Sequence, residues 1–297
     1  MGAGELKAHK NMEKVNIHNS ILRYPGGKSR LAPWFKDNII KNSFFDYTYI
    51  EPYAGGAGIA LYLLFNDVVK KIHINDIDPV IYAIWYNVLN DTENFLKLMY
   101  DTRVSISTWQ KQKEILLDTN SDSLNLGFAG FFLNRTNISG VIKGGAIGGL
   151  AQTGKYLIDC RFNKKDLEKK IIKIADKAKK IKISNCDAIK LLKKLNGKKN
   201  NLIYIDPPYY HKGSQLYRNY YKHSDHENIA KTINMLTNPW VVTYDNCEQI
   251  KQLYNANKQI EFSISYMTGK NNKGQELMIY DNINIYSKPN LYKKDNQ

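Results

Sequence analysis

Three cysteines are all that the 297 residues contain: Cys160, Cys186 and Cys247. They are odd in number, far apart and form no C-x-x-C pair, which excludes a disulfide framework and offers nothing to a zinc or dithiol centre. Their plain reading is as reduced thiols packed like small hydrophobes, and no metal is expected. Long apolar runs are missing too. Runs such as Ile81–Tyr86 fall far short of the roughly 20 residues a membrane helix requires. No charged start followed by an apolar stretch marks a secretory leader, so a soluble, cytoplasmic protein with no membrane partner is expected. Acidic residues are also scarce, with 28 Asp and Glu against 43 Lys and Arg, a formal charge of +15. That excess points toward a polyanion, nucleic acid first and an anionic membrane surface second.

What is present is an alternating rhythm. Tyr47–Glu51 reads as a buried strand and Gly58–Phe65 as a helix after a glycine loop. Lys71–Asn75 reads as a second strand and Val80–Leu89 as a second helix. The rhythm returns as strand Lys182–Ser184, helix Ala188–Leu195, strand Leu202–Ile205, helix His226–Leu236 and strand Trp240–Thr243. Phe262–Tyr266 and Glu276–Tyr280 read as a closing antiparallel pair. Strands alternating with helices predict an α/β fold with a mostly parallel sheet. Between the halves, residues 91–161 break the rhythm with helical stretches and a glycine-rich segment, 140–154, expected to be a flexible basic loop. Lys164–Lys182 is predicted to be one amphipathic helix with Leu167, Ile171, Ile174, Ala175, Ala178 and Ile181 on its apolar face. The expected division is a flexible segment over 1–20, a catalytic domain over 21–90 and 162–290, a mainly helical insert over 91–161 and a tail over 291–297.

Two signals point to a cofactor site. Glu51-Pro52-Tyr53-Ala54-Gly55-Gly56-Ala57-Gly58 sits between a strand and a helix, where glycine permits positive φ and close approach of a ligand to the strand end. Leu61 stands where a third glycine of the dinucleotide fingerprint would fall, so the loop alone is weak and a merely tight turn is an even alternative. Asp76 ends the next strand about 20 residues on, where a carboxylate accepts hydrogen bonds from ribose hydroxyls; capping of the following helix is the competing role for Asp76 or Asp78. Together they favour a ribose-bearing cofactor, without choosing between a nicotinamide and S-adenosylmethionine. The third signal is Asp206-Pro207-Pro208-Tyr209, directly after a strand. Two prolines fix the backbone and remove donors. The result is an acceptor-rich turn, suited to an exocyclic amine on a flat base, with an aromatic ring beside it.

With Arg23-Tyr24-Pro25-Gly26-Gly27-Lys28, these blocks make the sequence resemble the Dam-type, alpha-class DNA adenine N6-methyltransferases marked by a DPPY motif, from about Ile21 to about Tyr286. The order of the blocks matches that family, with the insert as the target-recognition subdomain. The resemblance implies a Rossmann-like methyltransferase fold and S-adenosylmethionine as methyl donor. It assigns donor contacts to Tyr24, Lys28, Tyr53, Ala54, Gly55, Gly56, Asp76, Asp187 and Asp206. It assigns the chemistry to Asp206, Pro207, Pro208 and Tyr209, with Asp206 and the Pro207 carbonyl accepting from the target N6 amine and Tyr209 stacking on a flipped base. Asp206 favours adenine over cytosine N4 or protein glutamine as methyl acceptor.

Phe132-Leu133-Asn134-Arg135 resembles the family's recognition segment, which makes Asn134, Arg135 and Lys143 the candidates to contact DNA. The following Ile138-Ser139-Gly140-Val141-Ile142-Lys143 departs from the GATC-reading pattern. His211–His223 interleaves Lys212, Arg218 and Lys222 with Tyr217, Tyr220 and Tyr221, as suits a loop that closes over a base. Double-stranded DNA is the expected partner, in a bacterial, phage-encoded or similar setting, with a cognate restriction endonuclease as a further candidate partner and a monomer or weak dimer as the state. The rivals are a same-fold methyltransferase acting on RNA or another amine, a non-catalytic DNA-binding relative, and, more distantly, a nicotinamide oxidoreductase.

Overall fold

A computed structural model describes residues 17–23, 28–211, 221–268, 270–289 and 291. Its centre is a sheet of seven strands: β1 (Thr48–Glu51), β2 (Lys71–Asn75), β3 (Ile181–Ser184), β4 (Asn201–Ile205), β5 (Trp240–Asp245), β6 (Lys258–Thr268) and β7 (Lys270–Asp281). Their order is β3-β2-β1-β4-β5-β7-β6. The first five are parallel, and β7 enters antiparallel between β5 and β6. This is the expected mixed α/β sheet, and its strand reversal at β1/β4 opens a crevice at the carboxyl ends, where ligands of such sheets bind.

The strands are short and apolar because both faces are covered. Side chains alternate between two cores. Tyr49, Leu202, Tyr204, Val241 and Met278 join one with helices α1 (Ala32–Lys41), α2 (Gly58–Phe65) and α3 (Pro79–Asn90). Ile50, Ile203, Ile205, Val242 and Ile279 join the other with α8 (Ala188–Leu195), α9 (His223–Asn234) and α10 (Glu248–Leu253).

The remaining helices, α4 (Thr92–Asp101), α5 (Ile106–Leu117), α6 (Ser123–Thr136) and α7 (Lys164–Ala175), extend the first core. Phe95, Phe128, Phe131, Phe132 and Phe162 form an aromatic cluster there. Helix α6 approaches α3 closely because Gly127 and Gly130 face it. A methyl group at Gly127 would lie 2.7 Å from the Ala83 carbonyl oxygen.

Two expectations change. The predicted helix over Lys164–Lys182 ends at Ala175, and Ile181 pairs with Ile72 on the sheet instead of continuing the helix face. The segment expected as a flexible loop is pinned: Asn137 bridges Ala146, and its amide donates to the Val141 and Ile142 carbonyls (both 2.9 Å). Within the expected tails, Asn19 is buried, and Ile17 and Leu291 pack against the core.

Gly127→Ala separates two effects of opposite sign. Helix propensity alone favours alanine by about 1 kcal/mol, whereas overpacking against a backbone carbonyl costs about 1–3 kcal/mol. We expect a net loss of stability in denaturant titration; a gain would mean that the α3–α6 contact relaxes freely.

Candidate active site

The crevice is built from the carboxyl ends of β1, β2 and β4. After β1, the chain turns through Gly55 (φ +45°) and Ala57 (φ +48°) into α2. The loop is clipped to β2 by two bonds: the Ala54 amide donates to the Asn75 carbonyl (2.9 Å) and the Gly55 amide to Asp76 Oδ2 (2.9 Å). Trp85 Nε1 donates to the Gly55 carbonyl (2.9 Å) from α3. Asp76 Oδ1 accepts the Asp78 amide (2.9 Å), while Asp78 itself caps α3 through the Val80 amide. The capping role therefore falls to Asp78, and Asp76 holds the glycine loop. Burial pushes the Asp76 carboxyl up to about 6, against the two backbone amides that favour its charge.

Sequence reasoning passed over Asn75, which joins three loops. Its amide donates to the Pro52 and Cys186 carbonyls (both 2.9 Å) and its oxygen accepts from Ser184 Oγ (2.7 Å). Asp187 follows Cys186, caps α8 through the Lys190 amide (3.0 Å) and stays partly exposed at the crevice edge. Tyr53 meets Tyr221 through their hydroxyls (2.6 Å).

Opposite the glycine loop, Asp206 leaves β4 at the head of the proline turn, and Pro207 and Pro208 are buried. Thr243 Oγ1 donates to Asp206 Oδ1 (2.8 Å). Lys28 Nζ lies 3.3 Å from the same oxygen and 2.6 Å from Glu276 Oε2. Tyr209 donates its hydroxyl to Glu276 Oε1 (2.9 Å), and Lys28 sits 5.5 Å from its ring centroid. Burial alone would drag the Lys28 ammonium down, but Asp206 and Glu276 outweigh it and hold it above the ordinary lysine value. Glu276, fully buried on β7, is a member of this network that sequence reasoning missed. Asp245 accepts the Tyr210 and His211 amides (2.8 and 3.1 Å) and so fixes the exit of the turn. With His211 and Cys247 it brings three potential metal-ligating atoms within 4.8 Å of one another, the one such grouping among the described residues. Tyr24 and residues 212–220 lie outside the described residues.

Residues 24–270 match the D12 class N6 adenine-specific DNA methyltransferases. The chain belongs to that family. It is an adenine-specific DNA methyltransferase. It is 24% identical over 203 residues to the type II methyltransferase M.MjaIII of Methanocaldococcus jannaschii, covering 64% of this chain and 68% of that protein. Among solved structures it resembles the rRNA methyltransferase aviRa from Streptomyces viridochromogenes, at 12% identity over 86% of each chain with a TM-score of 0.36. It also resembles a Pyrococcus horikoshii protein described as an RNA methyltransferase, at 8% identity over 88% of this chain and 86% of that one, with a TM-score of 0.40.

In this methyltransferase the three residues expected at DNA occupy different settings. Asn134 is 1% exposed: its oxygen accepts the Arg23 amide (2.8 Å) and its amide donates to the Arg23 and Gly140 carbonyls (both 2.8 Å). It is an internal clamp between Arg23 and Gly140, which corrects its reading as a group that contacts DNA. Arg135 is half-buried, with Nε donating to the Arg161 carbonyl (2.7 Å). Lys143 is exposed on the hairpin held by Asn137.

Glu51, at the end of β1, is 4% exposed and accepts the Ala60 amide (3.0 Å). Burial pushes its carboxyl up to about 8, so it is mostly protonated at neutral pH. A carboxyl whose folded value lies above its unfolded one contributes stability that is full below about 4.5 and lost as pH rises through about 8. Glu51→Gln should lack this slope. Its stability relative to the parent should rise between pH 5 and 8 by a few kcal/mol at most, since each tenfold change in proton affinity is worth about 1.4 kcal/mol. A difference that stays constant with pH in thermal unfolding would contradict this.

Proposed function

We propose that this enzyme transfers the methyl group of S-adenosylmethionine to the N6 amine of an adenine turned out of double-stranded DNA at a specific sequence. The observation that carries the reading is the Asp206 carboxylate. It stands at the end of β4 beside two prolines, aimed by Thr243 and Lys28, across the crevice from the Asp76-clipped glycine loop.

The chemistry of the side chains fits the donor. Asp76 and Asp187 offer acceptors for ribose hydroxyls and an adenine amine, and Tyr53 to Gly56 give a close backbone edge for the methionine portion. Tyr24 and Lys28 complete the donor contacts in this reading. Bound there, S-adenosylmethionine supplies an electrophilic methyl on a positive sulfur. Asp206 and the Pro207 carbonyl accept the N6 protons and direct the nitrogen lone pair at that methyl, Pro208 keeps the turn rigid, and Tyr209 flanks the base. As the N–C bond forms the C–S bond breaks, and N6 releases one proton to solvent. Positioning and electrostatics then supply most of the acceleration, while extruding the base costs a few kcal/mol.

Residues 91–161 act in this proposal as the target-recognition segment, with Arg135 and Lys143 toward DNA. The same reading has a monomer or weak dimer in a cytoplasmic, bacterial or phage-encoded setting, with a restriction endonuclease as candidate companion.

The test is transfer from labelled S-adenosylmethionine to unmethylated duplex DNA, with RNA alongside and nucleoside mass spectrometry on the product. N6-methyladenine in one sequence context is the expected result, and label appearing only in RNA would overturn the substrate. Asp206→Ala should lose transfer by about 100- to 1,000-fold while still binding the donor; full activity would remove Asp206 from the chemistry.

A second check uses pH. Because the Asp76 carboxyl titrates near 6 and only its charged form accepts from both ribose hydroxyls, donor affinity should weaken about tenfold for each pH unit below that value. Calorimetric titration from pH 5 to 8 reads this, and a flat profile would exclude Asp76 from the ribose.

A further inference from the structure

The amino end of the described chain, the end of α6 and the start of α7 bring four cations together. Arg23 is fixed through its backbone by Asn134, and its Nη1 donates to the Asn137 carbonyl (3.0 Å). Arg135, between those two asparagines, donates Nε to the Arg161 carbonyl (2.7 Å). Lys170 reaches the Ser20 carbonyl (3.3 Å), three residues before Arg23. Among the described residues no carboxylate forms an ion pair with any of the four, although Asp166 stands one turn before Lys170 on α7.

This arrangement is costly alone. Arg23, Arg135 and Lys170 are half-buried beside the exposed Arg161, and like charges without a counter-ion repel one another and lose hydration. Burial first, then Arg23 and Arg161, push the Arg135 guanidinium down to about 10. Arg23 is lowered likewise by burial and Arg161, and Lys170 by burial and Arg135. The bonds from Arg23 and Arg135 each use one donor to a neutral carbonyl. The other guanidinium donors of Arg23, Arg135 and Arg161 meet no acceptor among the described residues. Guanidinium groups pair with phosphate through two parallel bonds, which suits this cluster to a phosphate group. Gly140 adds to the rigidity: at φ +77°, it leaves room for the Arg23 carbonyl, which a methyl would meet at 2.4 Å.

We propose that Arg23, Arg135, Arg161 and Lys170 form a preorganised seat for a backbone phosphate of the DNA substrate. The proposal rests on the reading of this chain as a DNA methyltransferase. The seat is set by folded backbone contacts, so it is sequence-independent and orients the duplex rather than reading bases.

Arg161→Gln is the cleanest probe, because the bond to Arg135 uses the Arg161 backbone, not its side chain. Fluorescence anisotropy with a labelled duplex, across a salt series, measures the effect, with Lys170→Gln as a second variant. Each should weaken binding about tenfold at 0.1 M salt and reduce the slope of log K against log salt by about one. The kcat/KM for methyl transfer should fall by a similar factor, while calorimetric binding of S-adenosylmethionine without DNA stays unchanged. Lys179→Gln/Lys180→Gln, which removes two exposed charges that make none of these contacts, serves as the control. An unchanged slope in the two test variants, or an equal loss in the control, would overturn the seat. Failure of the parent enzyme to bind duplex at any salt would instead overturn the DNA reading itself.

Discussion

One buried ammonium ties the enzyme together. Lys28 comes from the amino-terminal segment, Asp206 from the end of β4 and Glu276 from the antiparallel β7, and the three meet within 3.3 Å. Two carboxylates could not share so sheltered a corner without a cation between them. The cation in turn could not be buried without both partners, since removing one leaves an uncompensated charge. The arrangement constrains the sheet. Glu276 reaches Lys28 only because β7 inserts between β5 and β6, in the register that pairs it with Asp245. Asp245 meanwhile accepts the amides after the proline turn. A shift of β7 by one residue would turn Glu276 to the opposite face and release Lys28 and Tyr209 together.

Charge counting gives this corner a direction. Two carboxylates and one ammonium leave one net negative charge, with Thr243 directing Asp206 toward the crevice. In the proposed reaction that residual negative charge would favour a positively charged methyl donor. Glu276 tethers Lys28 at 2.6 Å, shorter than the 3.3 Å to Asp206, so Asp206 keeps acceptor strength that a tight ion pair would take from it. Glu51 lies near the same crevice. Its burial, with Asp206 adding to it, keeps the proton on and avoids a third negative charge.

The sequence made the sheet legible for a simple reason. Period-two alternation between two buried faces leaves short apolar runs, and Tyr49/Ile50 or Leu202/Ile203 sit on opposite cores as that alternation requires. The glycine loop, Asp76 and the proline turn were legible because their backbone demands are unusual. Glu276, Asn75 and Asn134 were not. Glu276 is one acidic residue in a strand, indistinguishable in sequence from a solvent-facing one, and only the register of β7 buries it. Asn75 reads as the end of a strand, yet its side chain spans Pro52, Ser184 and Cys186. Asn134 is polar and adjacent to Arg135, so it reads as surface; the fold turns it inward because Arg23, 111 residues earlier, needs partners for its backbone. Ile181 misled in the opposite sense, since its spacing continued the face of α7 while the edge of the sheet claimed it.

Helix α6 explains how the segment proposed for recognition and the crevice share a rigid frame. Its middle packs on α3 through Gly127 and Gly130, and α3 is capped by Asp78, two residues from Asp76. Its far end carries Asn134 and Asn137, whose side chains hold Arg23 on one side and the 137–146 hairpin on the other. The hairpin is thus held by two asparagine side chains, by a tryptophan bond, Trp109 Nε1 to Asn137 Oδ1 at 2.6 Å, and by the buried Ala146. Packed helices transmit displacement as rigid bodies because their interiors are close-packed. Changes at exposed hairpin positions such as Ile138 or Lys143 therefore leave the Asp76 and Asp206 corners where they are, whereas any change that moves Asn134 moves Arg23 with it. A surface mounted in this way is free to vary in sequence, provided its two asparagines and Gly140 keep their places.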